Sequence, residues 1–203
     1  MTPDLIAEQI ARTIREGEFG QGAQLVQEDL ARRFGVSRNP IREALRLLEA
    51  NGIVEIRGGG GATVRTLSRD DLVELYGLRK VLEPTIALPV VESSTSRAVA
   101  ELDSMATAMA AESRIPEWME LNYTFHERLY TLSGLPRTAA ILTSLLSAVQ
   151  PYSRRNIEEL GGKDQADIEH RLIVDAVRAH DADGLAGLFV QHLDGAERRL
   201  AAS

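Results

Sequence analysis

The first third of the chain has the apolar spacing of three short helices. In a first segment, which begins at Thr2 or Asp4 and ends near Gly17 and Gly20, apolar residues recur with helical periodicity. A second, shorter helix is predicted at 27–34. Gly35 suits a tight turn, and a third helix follows it. The apolar face of this third helix consists of Ile41, Ala44, Leu45 and Leu48.

The third helix also carries a row of arginines. Arg38, Arg42 and Arg46 recur every fourth residue, so they share one face of the helix, away from the apolar one. Ser37 can cap the first free amides, and Pro40 is tolerated because it falls within the opening turn. A short turn between two helices, the second of them basic on one face, indicates a helix-turn-helix that reads a DNA groove.

A glycine-rich hairpin follows the helices. Strands are predicted at 53–57 and 62–65 with a glycine turn between them, and 21–26 has room for one further short strand. Three helices and a terminal hairpin make a winged helix-turn-helix. The alternative is a small structural α+β module with no ligand. That alternative does not explain why a row of arginines lies beside a wing that is itself flanked by Arg57 and Arg65.

Strand signals nearly vanish after residue 67, and helical segments joined by short loops predict an antiparallel bundle. Pro84 and Pro89 fall within the first segment, where they predict a kink or an interruption. The predicted fold is therefore mainly α. An N-terminal winged helix-turn-helix with three helices and a β-hairpin wing occupies 1–66, and a six-helix bundle occupies 67–203. The predicted bundle helices are about 69–92, 95–113, 116–133, 137–159, 165–180 and 182–201.

The charge is distributed unevenly along the chain, whose net charge is −7. Residues 1–65 carry nine arginines and nine acidic residues, whereas the remainder carries 14 basic and 21 acidic residues. A neutral first domain can still bind DNA where its arginines cluster. The absence of cysteine excludes disulfides and thiolate metal sites. The chain begins without a signal-peptide pattern and has no apolar run of membrane length, so we predict a soluble, cytoplasmic protein.

Three of the four histidines lie in apolar helical contexts. His126, His170 and His192 come from three different predicted helices, and Asn122 lies four residues before His126 on the same helix face. Imidazoles that converge inside a helical bundle can form a cage for a divalent metal. On the pattern alone, three separate core histidines explain these residues equally well. His180 falls at a predicted helix end and is given no role.

The sequence around the third helix closely resembles the DNA-binding domain of GntR-type bacterial transcription regulators. The resemblance is carried by residues 30–45, Leu-Ala-Arg-Arg-Phe-Gly-Val-Ser-Arg-Asn-Pro-Ile-Arg-Glu-Ala-Leu, and by the run Leu-Glu-Ala-Asn-Gly-Ile-Val that begins at Leu48. The second domain resembles the all-helical FCD ligand-binding domain of the FadR/VanR-like branch, in its shorter, VanR-like arrangement. The matching segments there are 78–83, 122–126, 169–176 and 192–193.

The resemblance implies a divalent metal bound by His126, His170 and His192 beneath a small carboxylate effector. It does not distinguish Zn, Ni and Mn. The family commonly has an acidic residue four positions before the first histidine, and this chain departs from that pattern with Asn122. An amide oxygen can still coordinate the ion but brings no charge, so the site should hold metal more weakly or prefer a different ion. The alternative for Asn122 is a helix-helix hydrogen bond.

Arg79 is the residue that we expect against the effector carboxylate, because its planar fork suits a bidentate grip. Its spacing also permits a salt bridge with Glu83. Tyr123 is a second candidate for the effector site, with packing between helices as its alternative.

The resemblance further implies a homodimer that binds a palindromic double-stranded DNA operator, most often as a repressor. Arg38 and Arg42 are the candidates for guanine edges or nearby phosphates. Flanking or phosphate contacts are expected from Ser37, Asn39 and Arg46. The wing glycines should permit a close approach of the backbone to the minor groove. These wing residues are Gly58, Gly59 and Gly60.

Two other functions use the same residues. A regulator could sense the metal itself without an organic effector, or three histidines with an open position could activate water in a metalloenzyme. The enzyme lacks a convincing general base, because Glu127 and Glu169 adjoin histidines in sequence but are expected to point off the histidine face. A free-standing enzyme would also have no use for a winged helix. We therefore predict that the protein is not an enzyme.

Overall fold

The computed structural model describes residues 1–58, 61–158 and 161–201. The chain divides into two compact units, Met1–Leu67 and Ser68–Ser203. Two of the predicted wing contacts, Gly59 and Gly60, lie outside the described residues.

The first unit contains three helices and a small antiparallel sheet. Strand β3 lies in the middle of the sheet and pairs with both β1 and β2, so that Ala62 faces Leu25 on one side and Ile56 on the other. The short strand that the sequence allowed within 21–26 therefore exists, and it is the third strand of the wing sheet. The elements are α1 Pro3–Arg15, β1 Gln24–Val26, α2 Gln27–Phe34, α3 Arg38–Ala50, β2 Val54–Arg57 and β3 Gly61–Val64.

The core of this unit lies between α1 and α3. Ile6 and Ile10 from α1, and Ile41 and Leu45 from α3, are fully buried. Since burial of one such side chain stabilises the fold by about 1.5–3 kcal/mol, this seam fixes the rotation of α3 about its axis. The basic face of α3 is consequently held away from the core.

The turn between α2 and α3 depends on backbone geometry. Gly35 adopts φ 64°, a left-handed conformation that ends α2, and the amide of Val36 donates to the carbonyl of Ala31 at 3.0 Å. Ser37 occupies the N-cap position of α3 with extended backbone, but its side chain makes no capping hydrogen bond. The predicted cap by Ser37 is wrong in that respect, and its hydroxyl stays exposed.

The second unit is a helical bundle. Its first predicted segment is interrupted by a 3₁₀ turn at Glu83–Ile86, which contains Pro84, so the predicted interruption is confirmed. A further proline, Pro151, lies inside α8. The predicted fold class, mainly α with a winged N-terminal unit and a helical bundle, is likewise confirmed. The helices are α4 Arg69–Leu82, α5 Ala87–Ser93, α6 Ser96–Ala111, α7 Ile115–Leu132, α8 Pro136–Glu158, α9 Lys163–Arg178 and α10 Ala182–Ala201.

Helix α7 buries one face within this bundle. It contacts α6 and α8, and its Trp118, Phe125 and Tyr130 are almost completely buried. The same helix therefore carries Asn122 and His126 into the interior. Within the described ranges, no helix is long and apolar enough to cross a membrane.

The conformation of Gly35 gives a test of the turn. A Cβ at Gly35 would meet no atom within 4 Å, so Gly35→Ala changes backbone strain alone. We expect the free energy of unfolding of the first unit to fall by about 1 kcal/mol, the usual cost of a left-handed alanine. Urea denaturation followed by circular dichroism measures this change.

Gly20→Ala is the matched control, since Gly20 also has open space around its Cα but no left-handed φ. This variant should be neutral or slightly stabilising. Equal destabilisation by the two substitutions would contradict the role of the left-handed turn.

Candidate functional site

The three buried histidines come together in the bundle. His126 in α7, His170 in α9 and His192 in α10 each offer one ring nitrogen, and these nitrogens all lie within 4.8 Å of one another. The Nε2 atoms of His126 and His170 are 3.3 Å apart. His126 and His170 are buried and His192 is nearly so, with a side chain that is 12% exposed.

The separation of the Nε2 atoms of His126 and His170 fits a shared ion. Two nitrogens that each lie about 2.1 Å from one metal are about 3.0–3.4 Å apart when the bonds enclose a right or tetrahedral angle. Between two neutral rings at this distance, one Nε2 must donate and the other accept, whereas a cation would satisfy both lone pairs. Imidazole nitrogen suits Zn, Ni and related divalent ions. The residues present therefore fit the metal that the family resemblance implies.

The protonation state of the histidines also favours metal binding. Burial lowers the pKa of His126 well below its usual value, and the neighbouring rings and Arg79 add to the shift. Burial also lowers the pKa of His170, with His192 as a further cause. Both rings are thus neutral at neutral pH, and the neutral imidazole is the form that ligates a metal.

Glu169 lies beside this cluster, contrary to the prediction that it points away. Its Oε2 is 2.6 Å from Nδ1 of His192, and its Oε1 accepts a hydrogen bond from Gln165 at 2.8 Å. Burial would raise the pKa of Glu169, but the hydrogen bonds from His192 and Gln165 outweigh it and lower the pKa. The prediction was wrong because it considered one helix alone, whereas His192 reaches the carboxylate from α10.

A sequence signal for Glu169 did exist. Glu169 falls on the buried stripe of α9, between Ala166 and Ile173 at helical spacing. An acidic residue at such a position needs a buried partner.

A cavity opens beside the histidines. Its lining includes Asn122, His126 and His192, and two cationic side chains, Arg79 and Arg199. The structure therefore brings most of the predicted metal and effector residues to one place within the second unit.

Arg79 forms the salt bridge with Glu83 that its spacing permits, and it also lines the cavity. It lines the cavity, and its Nε donates to Oε1 of Glu83 at 2.8 Å. Its Nη2 lies 3.2 Å from the hydroxyl of Tyr130, which donates to the same Glu83 oxygen at 2.7 Å. Burial would lower the pKa of Arg79, but Glu83 and Tyr130 raise it, so the guanidinium stays charged.

The two other predicted residues on α7 differ in their surroundings. Asn122 lines the cavity, and no residue in the described ranges hydrogen-bonds its side chain, so the alternative of a helix-helix hydrogen bond is not found. Tyr123 is not among the residues that line this cavity. Its hydroxyl lies 3.3 Å from Oγ of Ser147 in α8, which is the packing alternative.

The predicted DNA-contacting residues of α3 lie on its outer face. The side chains of Arg38, Arg42 and Arg46 are 66%, 50% and 60% exposed. Arg38 pairs with Glu28 at 2.7 Å, and Glu43 pairs with Arg46 at 3.1 Å and more loosely with Arg42 at 3.6 Å. Three further predicted contacts are also exposed: Ser37, Asn39 and Gly58.

Both units match known protein families. Residues 3–64 match the model of bacterial regulatory proteins of the gntR family, and residues 74–195 match the FCD domain. The HTH-type transcriptional repressor NanR of Enterobacter sp. strain 638 is 30% identical over 222 residues, which cover 94% of this chain and 82% of that protein. The chain belongs to the GntR family. It is a GntR-type transcription regulator with an FCD domain, and the predicted family is confirmed.

One further relative agrees with this assignment, and one solved structure agrees with the fold. The HTH-type transcriptional regulator YdhC of Bacillus subtilis is 32% identical over 129 residues, which span 62% of this chain and 58% of YdhC. The solved structure of E. coli McbR/YncC superposes with a TM-score of 0.87 and covers 100% of this chain and 98% of that one. At 20% identity, this second likeness supports the fold alone. Because the family, NanR and YdhC are transcription regulators, the prediction that the protein is not an enzyme is confirmed.

The buried pair of Arg79 and Glu83 generates a stability test. Glu83 is 0% exposed, so Glu83→Gln leaves the buried guanidinium without its counter-charge. The free energy of unfolding should fall by about 3–5 kcal/mol. Urea denaturation followed by Trp118 fluorescence reports on this unit, because Trp118 is the chain's single tryptophan.

Arg97→Gln is the control. Arg97 pairs with Glu101 at the same i,i+4 spacing, but its side chain is 90% exposed, so the unfolding midpoint should not change. A midpoint that is also unchanged in Glu83→Gln would show that the buried pair is dispensable.

Proposed function

We propose that this GntR-family regulator binds a divalent metal ion at His126, His170 and His192 and a small carboxylate effector next to it. The observation that carries the proposal is the convergence of three ring nitrogens within 4.8 Å at the edge of a cavity that Arg79 also lines. When bound, the ion would supply positive charge for an anionic ligand. The amide oxygen of Asn122 is proposed as a further ligand, with no charge of its own.

Arg79 is proposed to grip the effector carboxylate. Glu83 and Tyr130 occupy Nε and Nη2 of its fork, which fixes the guanidinium at the cavity wall rather than leaving it to rotate. A preoriented cation loses little side-chain entropy when it binds an anion. Tyr123 lies outside this contact set, so its proposed role is packing against Ser147.

The DNA-binding part of the proposal uses the outer face of α3. A homodimer would place two such helices in successive major grooves of a palindromic operator, with Arg38 and Arg42 at base edges or phosphates. Ser37, Asn39, Arg46 and the wing at Gly58 would make the flanking contacts. Repression is supported by the name of the NanR relatives, which are transcriptional repressors.

A ligand can change operator affinity only by binding one conformational state more tightly than another. Metal and effector are therefore proposed to shift the equilibrium between a DNA-binding and a released state. A regulator that senses the metal alone would show the whole shift without any carboxylate.

The decisive experiment is a stepwise titration of the chelator-stripped, full-length protein. We expect calorimetry with Zn²⁺ to give about one ion per chain. Citrate, as a probe carboxylate, should then raise the melting temperature further through ligand linkage, but only after metal addition. Operator affinity measured with metal alone and with both ligands separates the metal sensor from the effector-binding regulator.

His170→Ala should abolish zinc uptake. His180→Asn is the control, because His180 is exposed and its φ of 54° is one that asparagine tolerates. Wild-type protein that takes up no zinc, nickel or manganese would refute the metal site. A panel of di- and tricarboxylates without any thermal shift would refute the effector class.

Arg42→Ala tests the recognition helix. If Arg42 reads a base, affinity should fall by about 1–3 kcal/mol, or roughly 5- to 150-fold. The probe is a DNA duplex selected by the wild-type protein from a random-sequence pool, and binding is measured by fluorescence anisotropy. Arg32→Ala, an exposed arginine of α2 outside the predicted contacts, should bind like wild type. Unchanged affinity for Arg42→Ala would remove this residue from the interface.

A further inference from the structure

Glu169 is the one carboxylate found against the histidine cluster in the described part of the chain, and no role for it follows from the predicted metal ligands. We propose that Glu169 is a positioning residue of the metal site: it fixes the tautomer of His192 and supplies the negative charge that the ligand set lacks. This inference rests on the proposed metal site.

The contacts of Glu169 assign the proton of His192. A carboxylate oxygen accepts hydrogen bonds, so Nδ1 of His192, 2.6 Å from Oε2, must be the donor. The lone pair of the ring is then on Nε2, which becomes the atom available to an ion. The other oxygen, Oε1, accepts from Gln165 at 2.8 Å, so the carboxylate is itself held in place.

His192 is the histidine that most needs this support. It is the most exposed of the three, whereas His126 and His170 are enclosed by aromatic side chains such as Phe125. The Nδ1 atoms of His126 and His170 have no hydrogen-bond partner in the described ranges. Orientation by a carboxylate is therefore particular to His192, and packing fixes the other two rings.

The charge balance of the site gives Glu169 its second role. Three neutral imidazoles and the amide of Asn122 bring no negative charge to a divalent ion. The charge of Arg79 on the same cavity wall is paired with Glu83, and Arg199 also lines this wall. The Glu169 carboxylate, one hydrogen bond behind a ligand, is the anion placed to supply the missing negative charge. Loss of such an outer-shell partner typically lowers metal affinity 10- to 100-fold.

Glu169 also ties α9 to α10, so the test must separate positioning from packing. Glu169→Gln keeps the shape and a carbonyl that can accept from His192 but removes the charge, whereas Glu169→Ala removes both. Glu127→Gln is the matched control, because Glu127 also adjoins a histidine in sequence and is exposed.

Zinc affinity of the full-length protein is measured by competition with a chromophoric chelator. We expect about a tenfold loss for Glu169→Gln, up to a 100-fold loss for Glu169→Ala and no change for Glu127→Gln. Thermal unfolding of the metal-free variants reports packing separately. If Glu169→Gln and Glu169→Ala bind zinc like wild type, the role of Glu169 is overturned while the metal site stands. If wild type binds no zinc, the metal site fails as well.

A second readout does not depend on metal. Long-range proton-nitrogen NMR spectra of the metal-free protein should show His192 with its proton on Nδ1, and this signature should be lost in Glu169→Ala. A metal-free wild type with the proton on Nε2 would overturn the proposal, even if the alanine variant folds poorly.

Discussion

The second unit depends on one constraint: α7 is buried along most of its length although its sequence is not wholly apolar. Trp118 and Phe125 supply the apolar surface that holds it in the bundle. Asn122, His126 and Tyr130 are carried inward by the same helix, and a buried polar group without a partner is costly. Each of these side chains therefore needs a partner, either from the surrounding helices or from a ligand.

Each polar residue of α7 meets this constraint differently. Tyr130 is satisfied within the protein, because Glu83 and Arg79 surround its hydroxyl. His126 faces His170 through two nitrogens, of which one can donate to the other or both can bind one ion. Asn122 faces the cavity. Within a few turns of α7, some polar side chains are therefore satisfied by the protein and others face a cavity where a ligand can bind. The same buried helix thus contributes both to the stability of the bundle and to the candidate ligand site.

Much of the fold could be predicted from the sequence because its signals are local. Helical periodicity, the turn at Gly35 and the prolines of the first bundle segment each act within a few residues. The histidine cluster was predicted only as one of two explanations, since convergence of three helices is a tertiary property. The contact between Glu169 and His192 was missed for the same reason: two residues on different helices met where no single periodicity could show it.

The arginines of α3 that are proposed to contact DNA have acidic partners, and this has a consequence for how they would bind it. Arg38, Arg42 and Arg46 each face Glu28 or Glu43, and residues 1–65 carry as many acidic side chains as arginines. The long-range field of this unit is therefore weak, and random phosphates must compete with carboxylates for the same guanidinium groups. Attraction to arbitrary sequence is reduced, so occupancy of a site depends on short-range fit between the helix and the bases.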